Sequence, residues 1–366
     1  MCLYYYLVVM VSGDDLRTRV LARVDYIRSY GVSKDSVREA YRPIVVAEKR
    51  RQRKRILSDL KSVGKFFASG SDVVPEKVDP VLVLVEKPWQ ARLFRLAQYS
   101  WSLPYSRGYG RRLRFLVLDR FNGKLIGLLG LQSPPLTFPA RDSLFSYPDG
   151  FKVGLVNQTM DAFVLGAIPP YSFLLGGKLL ALSVLSNEVQ DAYRERYGDG
   201  LVAVSTVSAF GRSSIYNRLN FLGEKVVLPL GMTSGYGVFH LNGLVAELRD
   251  YLSSNGYAVR SGFEGGSKPV WSDVATAVRV LGLSSDLVLY HGIRREVFMF
   301  PLISNIEGFF NDLAKPIFVR RSFQDIAAWW QQRWELPRSI RNSDWFTWLS
   351  DDMYQRVLEG LDNVNE

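Results

Sequence analysis

The chain has 366 residues, of which 47% are hydrophobic and 13% aromatic, enough for two packed domains and too apolar for a disordered polymer. The single cysteine, Cys2, excludes an internal disulfide, and two widely separated histidines exclude a Cys/His zinc cluster, so no metal is expected. A net charge of +10 points to a polyanionic partner.

The chain opens with "MCLYYYLVVMVSGDD", which reads as a first strand or buried segment. Its apolar run is shorter than the ~20 residues that span a bilayer, and no basic region precedes it. The reading is cytoplasmic, with no membrane partner.

Residues 13–66 have a helical pattern. Leu16, Val20, Val24 and Ile27 recur at helical spacing, with Asp14 or Asp15 as cap and Gly31 as stop. Pro43 divides the stretch after Gly31 into two helices. Residues 34–65 hold eleven Lys or Arg against four Asp or Glu. At the centre of this excess stand Lys49, Arg50, Arg51, Arg53, Lys54 and Arg55, a run suited to nucleic-acid backbone. A solvated helix face is the other reading of the same residues. "ASGSDVVPEKVDP" is a polar linker.

From about residue 80 the pattern alternates between strands and helices. "VLVLVE" reads as a strand and "WQARLFRLAQYSWSLP" as a helix. "RLRFLVLDRFNGKLIGLLGLQ" is a hairpin turning at Asn122 and Gly123. "TMDAFVLGAI" is a strand, and "GAIPPYSFLLGGKLLALSVLSNEVQDAYRERYG" carries it through a glycine turn into a helix. "GLVAVSTVSA", "GRSSIYNRLNFLG" and "EKVVLPLGM" supply a strand, a short helix and a strand. This order predicts a mixed α/β sheet flanked by helices. Beyond residue 245 lie two helices, the second capped by Ser272, then the strand "REVFMFPLI" and a helical tail over 323–361 with five of the eight tryptophans. The domains are 1–75, a basic helical region; 76–245, the sheet core; and 246–366, a mixed and helical extension.

Several residue groups could carry chemistry. Gly176, Gly177 and Lys178 open a helix after a strand, as a phosphate cradle does. Small residues at such a corner also let a helix pack closely on a sheet, and the bulky Phe173, Leu174 and Leu175 favour that reading. Arg141 beside Asp142 suits a phosphate or a base edge, or a structural ion pair. Asn157 could contact a ligand or cap a turn. Arg212 and Tyr216 stand at a helix start, where the phenol could donate a proton or pack as a half-buried aromatic. Tryptophans interleaved with arginines in the tail suit base stacking or a domain interface.

The element order resembles the acetyltransferase-type core of the GNAT superfamily. The likeness lies in the strand before Pro169 and Pro170, the glycine turn after it, and "SSIYNRLNFLGEKV", where Tyr216 takes the place of that superfamily's late tyrosine. It implies acetyl-coenzyme A or another acyl-coenzyme A as cofactor, held at Gly176, Gly177 and Lys178. Residues 105–240 also resemble the DruA family of Druantia anti-phage systems. The blocks are "RLRFLV", "GKLIGLLGLQSPPLTFPARD", "GLVNQTMDAFVLGAIPPYSFLLGGKLLAL", "YRERYG", "FGRSSIYNRLNFLG" and "LGMTSGYG". Gln158 departs from a family asparagine and Tyr236 from a family arginine. The resemblance implies a defence component that binds, and in one form modifies, nucleic acid, DNA before RNA, alongside other defence subunits. Arg141, Asp142, Asn157 and Tyr216 would form its catalytic group, with Arg212 and the basic run on the polymer. Two alternatives stand beside it: an acyl-coenzyme-A-dependent transferase acting on a nucleobase or polyamine, and a non-catalytic scaffold that assembles subunits through its tail.

Overall fold

The computed structural model describes residues 12–29, 33–241, 243–260 and 268–361. The expected opening strand, with Cys2, and the Gly31 stop lie outside them. Contacts divide the chain into two units, residues 1–41 with 234–294 and residues 42–233 with 295–366.

The first unit is helical. In α1 (Gly13–Ser29), Leu16, Val20 and Val24 are buried, as their spacing predicts. They share one apolar core with Leu248 and Leu252 of the helix Val245–Ser254 and Val274 and Val278 of the helix Lys268–Val280. Ser272 lies inside the latter helix, not at its cap. The expected break at Pro43 is absent. Helix α2 (Lys34–Arg51) runs through the proline, because its buried stripe of Val37, Ala40, Tyr41 and Ile44 continues across it. The chain breaks at Gln52, before α3 (Arg53–Val63).

The second unit is built on a seven-stranded mixed sheet. Its strands are β1 (Pro80–Leu84), β2 (Arg112–Asp119), β3 (Leu125–Gln132), β4 (Thr159–Ala167), β5 (Ala203–Val207), β6 (Leu228–Met232) and β7 (Glu296–Pro301). The spatial order is β1, β2, β3, β4, β5, β7, β6, and only β4 and β5 run parallel. The hairpin between β2 and β3 turns at Asn122 and Gly123 as its sequence predicts, with Gly123 at φ 73°. The pairing of β4 with β5 stops at Ala162 and Thr206, so the last residues of β4 leave the ladder.

Helices cover both faces, as period-2 alternation requires. On one face Phe115, Met160, Val204, Phe298 and Phe300 meet α5 (Gly176–Ser183) and α6 (Asn187–Tyr197). The break between these two helices is set by Ser186, whose hydroxyl accepts from the Val189 amide as an N-cap. The tail adds α7 (Phe323–Trp330) to the same face, with Trp330 and Trp334 buried there. On the opposite face, α3, α4 (Pro88–Gln98) and α8 (Ser350–Leu358) cover the β1–β4 end. The segments around 138–155 and 303–310 cover the β5–β7–β6 end of that face.

Candidate functional site

The residues singled out in the sequence fall on both faces of the sheet. Arg141 and Asp142 sit in a short helix, Pro139–Asp142, packed on the face formed by Ala203, Leu230 and Val297. Tyr216 lies on the other face, with its ring 5.0 Å from Phe298 and 5.9 Å from Phe300. One site therefore does not contain both groups.

Arg141 is 1% exposed, and its guanidinium is turned inward. It donates to the Pro135 and Leu136 carbonyls at 3.0 Å and to Asp142 Oδ1 at 2.8 and 2.9 Å. Asp142 Oδ2 accepts from the Phe138 amide at 2.9 Å and from Lys152 Nζ at 2.8 Å. Burial alone would raise the Asp142 carboxyl; Lys152, the Phe138 amide and Arg141 outweigh it and hold the group below the ordinary carboxylate range. This is a satisfied ionic network that ties residues 135–152 to one another. Asn157 ends the short helix Lys152–Asn157, with its side chain exposed and its carbonyl accepting from Arg111 Nη2 at 2.6 Å and the Tyr193 hydroxyl at 3.0 Å.

On the opposite face, burial pushes the Tyr216 phenol up to about 12, against a hydrogen bond with Thr206. Arg212 is 89% exposed and lies 3.5 Å from Glu296. Glu296 accepts in turn from the Ser213 amide and Asn217 Nδ2, which fixes the loop before Tyr216.

The glycine turn fits its packing role. A Cβ on Gly176 would stand 2.8 Å from the Tyr171 carbonyl oxygen, and one on Gly177 would stand 3.1 Å from Ile215. The Trp330 indole donates to the Leu175 carbonyl over the same corner. Lys178 is buried, with Nζ 3.0 Å from the Arg218 carbonyl and 4.7 Å from the Trp334 ring centroid. Burial, with Arg218 and Arg333 nearby, pushes its ammonium down to about 8. Lys178 is engaged, and the Gly176 and Lys178 amides already donate to the Tyr171 and Leu175 carbonyls, so Gly176, Gly177 and Lys178 do not fit the pyrophosphate of coenzyme A in this arrangement.

The basic run divides as well. Lys49 is buried and donates to the Arg356 carbonyl, Arg50 donates to the Gly360 carbonyl, and Arg51 pairs with Glu48. Arg53, Lys54 and Arg55 are exposed at the start of α3 and have no acidic partner among the described residues.

Sequence reading passed over one residue whose environment marks it. Asp161 is the third residue of β4, opposite Ser205 of β5, on the same sheet face as Arg141. Its Oδ1 accepts from the Ser205 hydroxyl at 2.9 Å, and its Oδ2 from Gln132 Nε2 at 3.3 Å. Burial pushes this carboxyl up to about 6, against Ser205, Gln132, Arg295 and Arg141. A carboxyl titrating near neutrality can both take and give a proton at cellular pH. It sits beside the last residues paired between β4 and β5. The available signal was a lone acid in the apolar strand "TMDAFVLGA".

The geometry defines a mixed-sheet α/β protein with a half-buried acid beside the parting of its two parallel strands and cations exposed on α3. The chain belongs to the DruA family: the family model described as Druantia protein DruA matches residues 32–312. Over 315 residues it is 40% identical to Druantia protein DruA of Escherichia coli (strain UMEA 4076-1), covering 80% of this chain and 77% of that one. No solved structure matches the chain. Among the described residues, no helix is long and apolar enough to cross a membrane.

Proposed function

We infer that this protein is a nucleic-acid-binding component of bacterial anti-phage defence, working beside other subunits of its system, and that its sheet core acts on the bound polymer. Membership of the DruA family supports the defence context. The observation that carries the binding is the exposed trio Arg53, Lys54 and Arg55, cations with no acidic partner among the described residues. The strand order, with one parallel pair that parts at Ala162 and Thr206, supports a GNAT-like core. Asp161 is then the residue best placed to move a proton, and the Arg141–Asp142–Lys152 network is the frame behind it.

Labelled DNA titrated across a salt series tests the binding. Affinity falls steeply with salt, and the triple substitution of Arg53, Lys54 and Arg55 to Ala weakens it and flattens the slope. A flat salt dependence of the wild-type protein sinks the reading. Asp161→Asn tests the chemistry. Any change in DNA mass produced by the assembled system is lost, while DNA affinity stays within about twofold, an energy of about 0.4 kcal/mol.

A further inference from the structure

The loop over 104–114, "PYSRGYGRRLR", alternates tyrosine with arginine and leads into β2. Its shape is fixed. Gly108 and Gly110 have φ 66° and 60°, and a side chain on either would run into Phe163 or Ser133. Arg111 locks the far end through Tyr193 and the Asn157 carbonyl. Leu113 is buried, whereas Arg107, Tyr109 and Arg112 are exposed and Tyr105 and Arg114 half-buried. Tyr105 stacks on Tyr99 with ring centroids 4.9 Å apart and planes 14° from parallel. Arg55, Arg107 and Arg114 all lie near enough to act on the Tyr105 phenol. Arg112 and Arg114 stand two residues apart on β2 and so on one side of it, and Arg196 donates to the Arg112 carbonyl at 3.4 Å.

Arg114 is half-buried over the Phe94 ring, 5.8 Å from its centroid, and has no carboxylate partner among the described residues. Burial and then Arg112 hold its guanidinium below its ordinary value. Arg95, the other cation beside it, is neutralised by Asp59 at 2.7 Å through both nitrogens. A set of guanidiniums that repel one another and lack an internal anion is relieved by an external one. Exposed Tyr109 adds an aromatic face next to them. Guanidiniums that take phosphates, interleaved with rings that take bases, are the chemistry of single-strand recognition.

We propose that the 104–114 loop, with Arg55 and Arg196 at its flanks, is a binding surface for single-stranded nucleic acid. The proposal rests on the nucleic-acid reading of the exposed trio and names the strand form and the loop that takes it. Arg55 belongs both to this surface and to that trio, so the polymer runs from α3 onto the loop. The Ser133 amide donates to the Tyr109 carbonyl at 3.3 Å and the adjoining Gln132 donates to Asp161 Oδ2 at 3.3 Å, which places the loop beside that acid.

The test is anisotropy of labelled oligothymidine and of a duplex of equal length, with wild-type protein and two variants. The double variant Arg107→Ala, Arg112→Ala is expected to lower the single-strand salt slope by roughly 1.4, about 0.7 per phosphate contact. Tyr109→Ala weakens single-strand binding roughly fivefold or more and leaves the slope unchanged. Oligothymidine carrying bromouracil, cross-linked by light to wild-type protein, labels a peptide within 104–114 and needs no variant to fold. Three results overturn the proposal: loop variants that bind like wild type, a duplex preferred and indifferent to Tyr109→Ala, or polyglutamate competing as well as oligothymidine does. If the wild-type protein binds no nucleic acid at all, the parent reading fails with it. If it binds and only the Arg53, Lys54 and Arg55 triple variant loses affinity, the loop proposal alone fails.

Discussion

Glu335 offers a measurement of burial that needs no knowledge of the ligand. It ends a π-helical turn, Gln331–Glu335, in which the Leu336 amide reaches back to the Gln331 carbonyl just before Pro337. The side chain is 0% exposed, and neither carboxylate oxygen has a hydrogen-bond partner among the described residues. Burial, reinforced by Glu76 and Asp119, pushes the group up to about 8. An unfolded glutamate titrates near 4.3. Between the two values the folded chain keeps a proton that the unfolded chain has lost, so stability falls as pH rises. The slope is about 1.4 kcal/mol per pH unit, and the accumulated loss by pH 8 is on the order of 5 kcal/mol. Glu335→Gln has the same shape and does not titrate. A buried amide carries its own desolvation cost, so the quantity to read is the pH dependence of the difference between the two proteins. Urea unfolding followed by tryptophan fluorescence suits it, because seven of the eight tryptophans lie in the same unit as Glu335. The variant should gain on wild type by about 3 kcal/mol between pH 5 and pH 7.5 and gain nothing further above pH 8.5. A difference that is constant across that range would mean that Glu335 reaches water or a partner, and the argument from burial would be wrong.

The buried arginine and the glycine turn give further outcomes. Arg141→Ala strips Asp142 of its guanidinium and leaves the Pro135 and Leu136 carbonyls unpaired, with an expected loss of about 3–5 kcal/mol in urea unfolding. Arg141→Lys should recover little of it, since an ammonium cannot span three acceptors in a plane; full recovery would show that charge alone matters. Gly176→Ala forces a carbon against the Tyr171 carbonyl and should cost about 1–3 kcal/mol, whereas Gly177→Ala meets only a movable Ile215 methyl and should stay within about 1 kcal/mol of wild type. Equal costs at the two glycines would refute the packing account of the turn. Acetyl-coenzyme A titrated in a calorimeter should give no binding heat, because Lys178 is engaged and Ile215 covers the corner; saturable heat would show that the corner opens.

Local signals carried much of the fold. Alternation and the Asn122–Gly123 turn placed the β2–β3 hairpin, and the spacing of Leu16, Val20 and Val24 placed α1. The signature at Ser186, a hydroxyl residue followed two positions later by Glu188, marked the break between α5 and α6 but was masked by the apolar stripe running through it. Pro43 misled because propensity is a local cost and its helix is held by a stripe of four buried residues. Strand order is set by long-range pairing, so the insertion of β7 between β5 and β6 has no local signature. The direction of a polar side chain is equally hidden. Arg141 beside Asp142 suits a ligand or a structural ion pair equally well as a string, and burial turns the Arg141 guanidinium inward onto Asp142. Asp161 is one acid within a strand pattern, and it is burial in the fold, against its polar neighbours, that raises it. The tyrosine–arginine alternation of 104–114 is legible as a string, but the return of Arg196 onto the Arg112 carbonyl is not.

The helical unit joins residues 1–41 to residues 234–294. On the ribosome, α1 emerges long before the helices that bury Leu16, Val20 and Val24. At 5–20 residues per second its apolar stripe waits on the order of ten to fifty seconds for those partners. Synthesis of this protein therefore includes an interval in which a greasy helix is exposed while the sheet strands are being made, and chaperone demand should peak there and end once residue 294 has cleared the exit tunnel.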